Sequence, residues 1–154
     1  MVDRLGKTQT DKTGLALFWS SIILAILGAA DAIYLLIYKL TGNNQMCLGN
    51  GGCHDVNFSP FSEIYGIPVS VFGISAFLAI LCILVLEKRL KLAEKHGPLV
   101  IFGICLGGVV FTAYLTYLEV YIIHAICPFC VASAVLITLL FILAIIRLVK
   151  QTAN

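Results

Sequence analysis

Two cysteine pairs in the sequence have spacings that suit thiol–disulfide chemistry. The first pair, Cys127 and Cys130, encloses Pro-Phe, and cysteines three residues apart on a first helical turn can bring their sulfurs within bonding distance. Pro128 suits the first position of a helix, where unpaired N–H groups and the positive end of the helix dipole stabilise a thiolate. The C-x-x-C spacing alone is shared by redox sites and metal sites.

The second pair, Cys47 and Cys53, is separated by Leu-Gly-Asn-Gly-Gly. This flexible spacer allows a disulfide that is open to attack, although a static structural disulfide has the same pattern. His54 could favour a thiolate at Cys53 when it is protonated, or have no role. The four cysteines of the two pairs could also form a tetrahedral zinc site, but an oxidising exterior favours disulfides, so no metal is expected. Cys82 and Cys105 fall within apolar segments and are expected to be buried packing residues.

The segments that carry these cysteines are too apolar for a water-soluble protein. Hydrophobic side chains make up 60% of the 154 residues and charged ones 12%, against about 25% charged in soluble domains. Four apolar segments cover residues 15–40, 67–86, 99–124 and 128–149. Each has about the 20 residues that a membrane-spanning helix needs. The prediction is an all-α integral membrane protein: a four-transmembrane-helix bundle over residues 15–149, with a short surface helix in the first outer loop.

Basic residues predict the orientation of this bundle. They lie before the first segment, in the loop after the second and at the end of the fourth, and basic loops are retained in the cytoplasm. Residues 1–14 and 150–154 are therefore expected to be cytoplasmic tails, and the loop 41–66 and both cysteine pairs to face outward. A cleaved signal peptide ending near Gly28 is the competing interpretation of the first segment. Membrane lipid is the expected surroundings, and no basic patch predicts nucleic-acid binding.

Two other regions could contribute to a binding site at the outer end of the bundle. In the loop 41–66, Ser59 as an N-cap, Pro60 and a terminal Gly66 predict the short helix that lies at the membrane surface as a lid. Tyrosines recur at Tyr114 and Tyr117, and an aspartate, Asp31, lies within the first span. These residues could form an aromatic belt with a solvated carboxylate, or line a cavity between helices.

Together these features resemble the vitamin K epoxide reductase family. The resemblance rests on the spaced cysteine pair after the first span, on Ser-Pro-Phe-Ser-Glu-Ile-Tyr-Gly-Ile-Pro leading into the second, and on Cys-Pro-Phe-Cys at the head of the fourth. It covers residues 15–149. It is similar to the bacterial or archaeal members without a fused thioredoxin-like domain. Another quinone-linked membrane family has the two cysteine motifs in the reverse order.

The resemblance implies a function and roles for the cysteines. Cys127 and Cys130 would be the active-site dithiol, with Cys130 nearest a membrane quinone of the ubiquinone, menaquinone or vitamin K type. Cys47 would exchange with an extracytoplasmic thioredoxin-like protein supplied in trans, and Cys53 would pass electrons to Cys127. The chain would then be a quinone-dependent oxidoreductase that supports disulfide formation. The alternative is a tetraspan membrane scaffold with static disulfides.

A quinone needs an apolar cleft with a few hydrogen-bond donors. We expect its ring near Cys130, capped by residues 57–65. The expected binding residues are Ser59, Ser62, Phe111, Tyr114, Tyr117 and Phe129.

Overall fold

The computed structural model describes residues 2–42 and 52–153, and the side chains of 12–42, 52–90 and 95–153. Cys47 lies outside the described residues. The elements, in chain order, are helix α1 (Val2–Thr41), helix α2 (Gly52–Asn57), a 3₁₀ turn (Pro60–Ser62), strands β1 (Glu63–Ile64) and β2 (Ile67–Pro68), helix α3 (Val69–Glu87), helix α4 (Lys91–Leu118), a π-helical segment (Glu119–Ile123) and helix α5 (Pro128–Ala153).

Four of these helical regions are long and apolar enough to cross a membrane. They are Lys12–Thr41, Val69–Glu87, Lys95–Ile123 and Pro128–Ala153. The predicted fold class is confirmed, and the architecture is that of a multi-pass membrane protein. Two helices begin well before the predicted apolar segments. Helix α1 starts at Val2, since no proline interrupts residues 2–41, and α4 starts at Lys91 and continues through Pro98, where it loses one backbone hydrogen bond.

The four long helices form a bundle in which α1 and α4 each pack against both α3 and α5. Small residues on α1 pack in the core with larger side chains from α3. The small residues are Ala25, Ala29 and Ala32, and the larger ones are Phe77 and Ile80. Cys105 belongs to this core, as expected, with no exposed surface. The prediction that Cys82 is buried is wrong, because its position on α3 faces away from the other helices and leaves it exposed.

Two polar links join the helices at different depths. Ser133 Oγ on α5 donates a hydrogen bond to the Asp31 carboxylate on α1, so this intramembrane acid faces protein rather than lipid. Arg147 on α5 forms an ion pair with Glu87 at the end of α3. The second link lies at the end of the bundle away from Cys53, Cys127 and Cys130.

The first outer loop differs from the predicted single helix. A short helix does lie in this loop, but it is α2, and Ser59 is followed only by the 3₁₀ turn and the hairpin of β1 and β2. Tyr65 and Gly66 both have left-handed backbone conformations, with φ of 53° and 80°, as in the two-residue turns that connect antiparallel strands. Gly66 therefore forms a hairpin turn. Ser59 does not cap the turn, because its hydroxyl donates to the Val56 carbonyl at 2.8 Å.

Candidate functional site

The site is built around the chain reversal before α5. The π-helical segment ends at His124, which has a left-handed φ of 55°, and α5 begins at Pro128, as predicted. The Cys127 carbonyl accepts the Val131 N–H at 3.1 Å, and its own N–H donates to the Glu119 carboxylate at 3.3 Å. The backbone of Cys127 is therefore held on both sides.

Cys127 and Cys130 are free thiols that are hydrogen-bonded to each other. The hydrogen bond that the Cys130 thiol donates lowers the pKa of Cys127, and backbone N–H groups at the start of α5 act in the same direction, although burial of Cys127 opposes them. A thiolate at Cys127 is thus stabilised, as expected for a reactive sulfur at a helix start. Cys127 itself has no exposed surface.

Cys53 lies in the same buried cluster as Cys127. The buried members of this cluster are Leu35, Tyr38, Cys53 and Cys127, with Val56, Phe129 and Cys130 packed against them. Cys53 is disulfide-bonded and only 1% exposed. Its approach to Cys127 depends on the preceding Gly52, since a Cβ atom there would lie 2.4 Å from the Ile126 carbonyl oxygen. The fold thus brings one cysteine of the loop pair to the C-x-x-C pair.

Two cavities meet at Cys130. The smaller, of about 60 Å³, lies under the first outer loop, and Ser59, Ser62 and Lys39 line it. The larger, of about 250 Å³, lies between α3 and α4. Its wall is mostly apolar, with Phe72, Phe77, Phe111, Leu115 and Ile137. An apolar cavity with a few polar groups is the usual form of a site for a small apolar ligand.

The structure places the six predicted binding residues in different surroundings. Ser59 and Ser62 line the smaller cavity, and Phe111 lines the larger one. Phe129 instead packs against Tyr34 of α1, with 4.8 Å between ring centroids. It contacts the cysteine cluster but lines neither cavity that contains Cys130.

The tyrosines of α4 are not brought to these cavities. Tyr114 and Tyr117 are 54% and 55% exposed, and neither lines a cavity that contains Cys130. The reason is the rotation of α4, which turns Leu118 and the adjoining Glu119 inward. The tyrosines lie on the other side of the helix, where an aromatic belt would be.

Three polar side chains at the site are not among the predicted binding residues. Glu119 is 3% exposed and borders both cavities. Ser70 also borders both, and its buried hydroxyl has no hydrogen-bond partner in the described part of the chain; the same holds for the Tyr38 hydroxyl in the cysteine cluster. One signal was available for Glu119: an ionisable residue within an otherwise apolar span is expected to face the bundle interior.

No group of three or more His, Cys, Asp or Glu side chains within residues 12–42, 52–90 and 95–153 is placed to hold a metal ion. The four described cysteines other than Cys53 are free thiols. The chemistry that the cysteine cluster can perform is exchange among its sulfurs, of which Cys130 borders the apolar cavity.

Comparisons with known proteins agree with this arrangement. The model of the Vitamin K epoxide reductase family matches residues 19–145, well over half of the chain. The thiol-disulfide oxidoreductase LTO1 of Arabidopsis thaliana is 30% identical over 121 residues, which make up 75% of this chain and 32% of that protein. This chain therefore spans about a third of the length of that relative. With four apolar helices and a C-x-x-C at the start of the last one, the chain belongs to the vitamin K epoxide reductase family.

Proposed function

We propose that this protein is a membrane thiol-disulfide oxidoreductase. It takes two electrons from an extracytoplasmic thioredoxin-like dithiol and passes them through its two cysteine pairs to a membrane quinone. The observation that carries the proposal is the packing of Cys53, Cys127 and Cys130 in one cluster, with Cys130 also bordering the apolar cavity. Family membership and the name of the Arabidopsis relative support a thiol–disulfide role.

Each step along this path is the attack of a thiolate on a disulfide. The partner dithiol is oxidised to a disulfide as the pair Cys47 and Cys53 is reduced. The Cys53 thiolate then attacks Cys127 of the oxidised C-x-x-C pair, and Cys47 displaces Cys127 from Cys53. The electrons thus arrive on Cys127 and Cys130 as a dithiol, and the loop pair returns to the disulfide.

The larger cavity suits a quinone headgroup, which is an apolar ring with two carbonyl acceptors. Four hydroxyl-bearing residues line this cavity. Thr112 and Thr116 donate to carbonyls of their own helix, and Ser133 donates to Asp31. Ser70 alone among these four, all in the described part of the chain, has a buried hydroxyl without a partner. Since an unsatisfied buried hydroxyl is unfavourable, Ser70 is the donor we assign to a quinone carbonyl.

When bound there, a quinone would supply the two-electron, two-proton acceptor that reoxidises the C-x-x-C pair. The protein's own residues contribute the surroundings of this step. The apolar wall excludes water, Ser70 orients the ring, and the hydrogen bond between Cys130 and Cys127 keeps the two sulfurs together.

The proposed orientation places both termini in the cytoplasm and the cysteine pairs on the outer face. The basic residues at the end of α3 and in α5, including Lys88, Arg89 and Arg147, lie at the end of the bundle opposite the cysteine cluster. Such residues are retained on the cytoplasmic side.

Anaerobic quinone reduction tests the function. The full chain in lipid nanodiscs is mixed with a reduced thioredoxin-like protein and a quinone, and quinol formation is followed by absorbance. We expect turnover in the wild type, none in Cys130→Ala, and wild-type turnover in Cys82→Ala, whose thiol is exposed away from the site. If quinone does not alter the oxidation state of the cysteines, the proposal fails and a scaffold with static disulfides is favoured.

A further inference from the structure

Glu119 is an acidic residue in a place where a charge is unfavourable. It starts the π-helical segment near the end of α4 and is 3% exposed. Buried carboxylates are retained where they are hydrogen-bonded or perform chemistry. π-Helical turns of this kind occur frequently at functional sites.

The carboxylate of Glu119 contacts both residues of the C-x-x-C pair. The Glu119 carboxylate accepts the Cys127 N–H at 3.3 Å, and it shares the single S–H proton of Cys130 with Cys127, the other acceptor of that thiol. It also borders both cavities that meet at Cys130. The carboxylate therefore lies between a thiol proton and the cavity assigned to the electron acceptor. The other ionisable group that lines a cavity with it is Lys39, in the smaller one.

A positioning role alone does not require a carboxylate here. A neutral glutamine could accept the Cys127 N–H without placing a charge inside the bundle. The feature that distinguishes glutamate is that it can take and release a proton. General acid–base groups must lie within hydrogen-bonding distance of the proton that they move, and the Cys130 thiol satisfies this condition.

We propose that Glu119 is a catalytic base that takes the proton of the Cys130 thiol and delivers it to the quinone. The inference rests on the proposed function. In the balanced step the S–H bond of Cys130 breaks, and its proton forms an O–H bond with Glu119 before passing to a quinone oxygen. Cys127 and Cys130 form a disulfide and release two electrons. The second proton is the one that Cys127 releases when its thiolate forms, so the quinone would become quinol and Glu119 would return to the carboxylate.

Glu119→Gln is the decisive variant, because glutamine keeps the hydrogen-bond acceptor but cannot take the proton. In the reduced, quinone-free protein we expect the infrared S–H stretch of Cys130 to move to higher frequency, since an amide oxygen is a weaker acceptor than a carboxylate. In single turnover with quinone we expect the rate to fall about a hundredfold, with quinone affinity and the unfolding temperature unchanged. Glu119→Asp, which restores an acid, should recover part of the rate. Glu63→Gln is the control, since its carboxylate lies on β1, partly exposed.

Each other result overturns the proposal. A wild-type rate in Glu119→Gln shows that the proton takes another route, and an unchanged S–H band shows that the contact is absent. Equal rate losses in the glutamine and aspartate variants, with a lowered unfolding temperature, show a structural role. If Glu119→Gln does not fold, wild-type protein labelled with ¹³C-glutamate decides the question. A carboxyl band must change between the reduced and oxidised quinone-free states, and no change contradicts the proposal.

The wild type also separates this inference from the proposed function. A wild-type protein that does not reduce quinone contradicts the function. The infrared spectra of the quinone-free protein still show whether the Glu119 carboxylate accepts a hydrogen bond from the Cys130 thiol.

Discussion

Lys39 at the end of α1 holds the first outer loop through Ser62, whose hydroxyl lies 2.7 Å from the lysine Nζ. The lysine side chain is only 9% exposed, and Nζ also lies 3.0 Å from Glu63. The long stem of Lys39 thus reaches from the bundle to the loop that covers the smaller cavity.

Replacing this lysine should loosen the loop. In Lys39→Met we expect amide hydrogen exchange in residues 60–68 to accelerate about tenfold or more, because a hydrogen bond to a charged group contributes about 1.5 to 3 kcal/mol. Glu63→Gln is the matched comparison. Since the Glu63 side chain is 48% exposed, that ion pair should matter little. Equal acceleration in both variants would assign the anchoring to Glu63.

Ser70→Ala should have opposite effects on ligand binding and on stability. Without quinone, unfolding of the variant should need as much denaturant as the wild type or more, because an unsatisfied hydroxyl has been removed. Quinone affinity should fall about fivefold, which corresponds to about 1 kcal/mol for one hydrogen bond. Ser75→Ala is the control, since that exposed hydroxyl donates to its own helix at the Phe72 carbonyl. Unchanged quinone affinity in Ser70→Ala would remove Ser70 from the site.

Cys53→Ala should trap the protein on its dithiol partner. Cys53 is 1% exposed and lies in the same buried cluster as Cys127, so a soluble protein is expected to react at Cys47. Without Cys53 no internal thiol resolves that mixed disulfide, and non-reducing gels should show a covalent complex. If Cys47→Ala forms the complex and Cys53→Ala does not, the order of the two cysteines is reversed.

The ion pair between Arg147 and Glu87 should matter for stability alone. Removing one partner of a buried pair typically lowers the free energy of unfolding by about 3 to 5 kcal/mol. Both side chains are largely buried, at 15% and 6% exposed. We expect Arg147→Met to lower the unfolding temperature in detergent while the remaining folded protein keeps its turnover. A double variant with Glu87→Gln should lose less than the sum of the two single variants, and strict additivity would show that the pair does not interact.

The pH dependence of Cys127 follows from the hydrogen bond that Cys130 donates. That hydrogen bond lowers the pKa of Cys127 in the folded protein, so its alkylation should reach half-maximal rate at lower pH than in the unfolded chain, where a thiol has a pKa of about 8.5. The associated stabilisation is present above the unfolded pKa and is lost as pH falls through the folded one. In Cys130→Ala the midpoint should move back up. An identical midpoint in the folded protein and the unfolded chain would contradict the assignment.

Composition and local sequence predicted the four membrane-spanning helices and the start of α5. The length of an apolar segment indicates whether it can form a membrane-spanning helix. Pro128, which follows the chain reversal, indicates where α5 begins. The Tyr65-Gly66 turn was not predicted, because the same residues fit the end of a helix. Only the pairing of Glu63 with Pro68 distinguishes the hairpin.

The orientation of side chains within the site could not be obtained in the same way. Tyr114 and Tyr117 suit a cavity by chemistry, yet tertiary packing rotates α4 so that Thr112 and Glu119 face inward. The burial of Ser70 likewise depends on how α3 lies beside α4. An apolar span has no simple periodicity to show its inward face, so the few polar residues within it are the better guide.

The fixed backbone at Cys127 determines how its sulfur can change partners. The N–H is held by Glu119 and the carbonyl by Val131, while Cys53 and Cys130 both lie in contact with the same cluster. In the proposed relay, Cys127 would change partner by rotation about its Cα–Cβ bond, between staggered rotamers, while these two hydrogen bonds hold its main chain. The relay that we propose through this residue would then be a change of rotamer that does not wait for the slower opening of a loop.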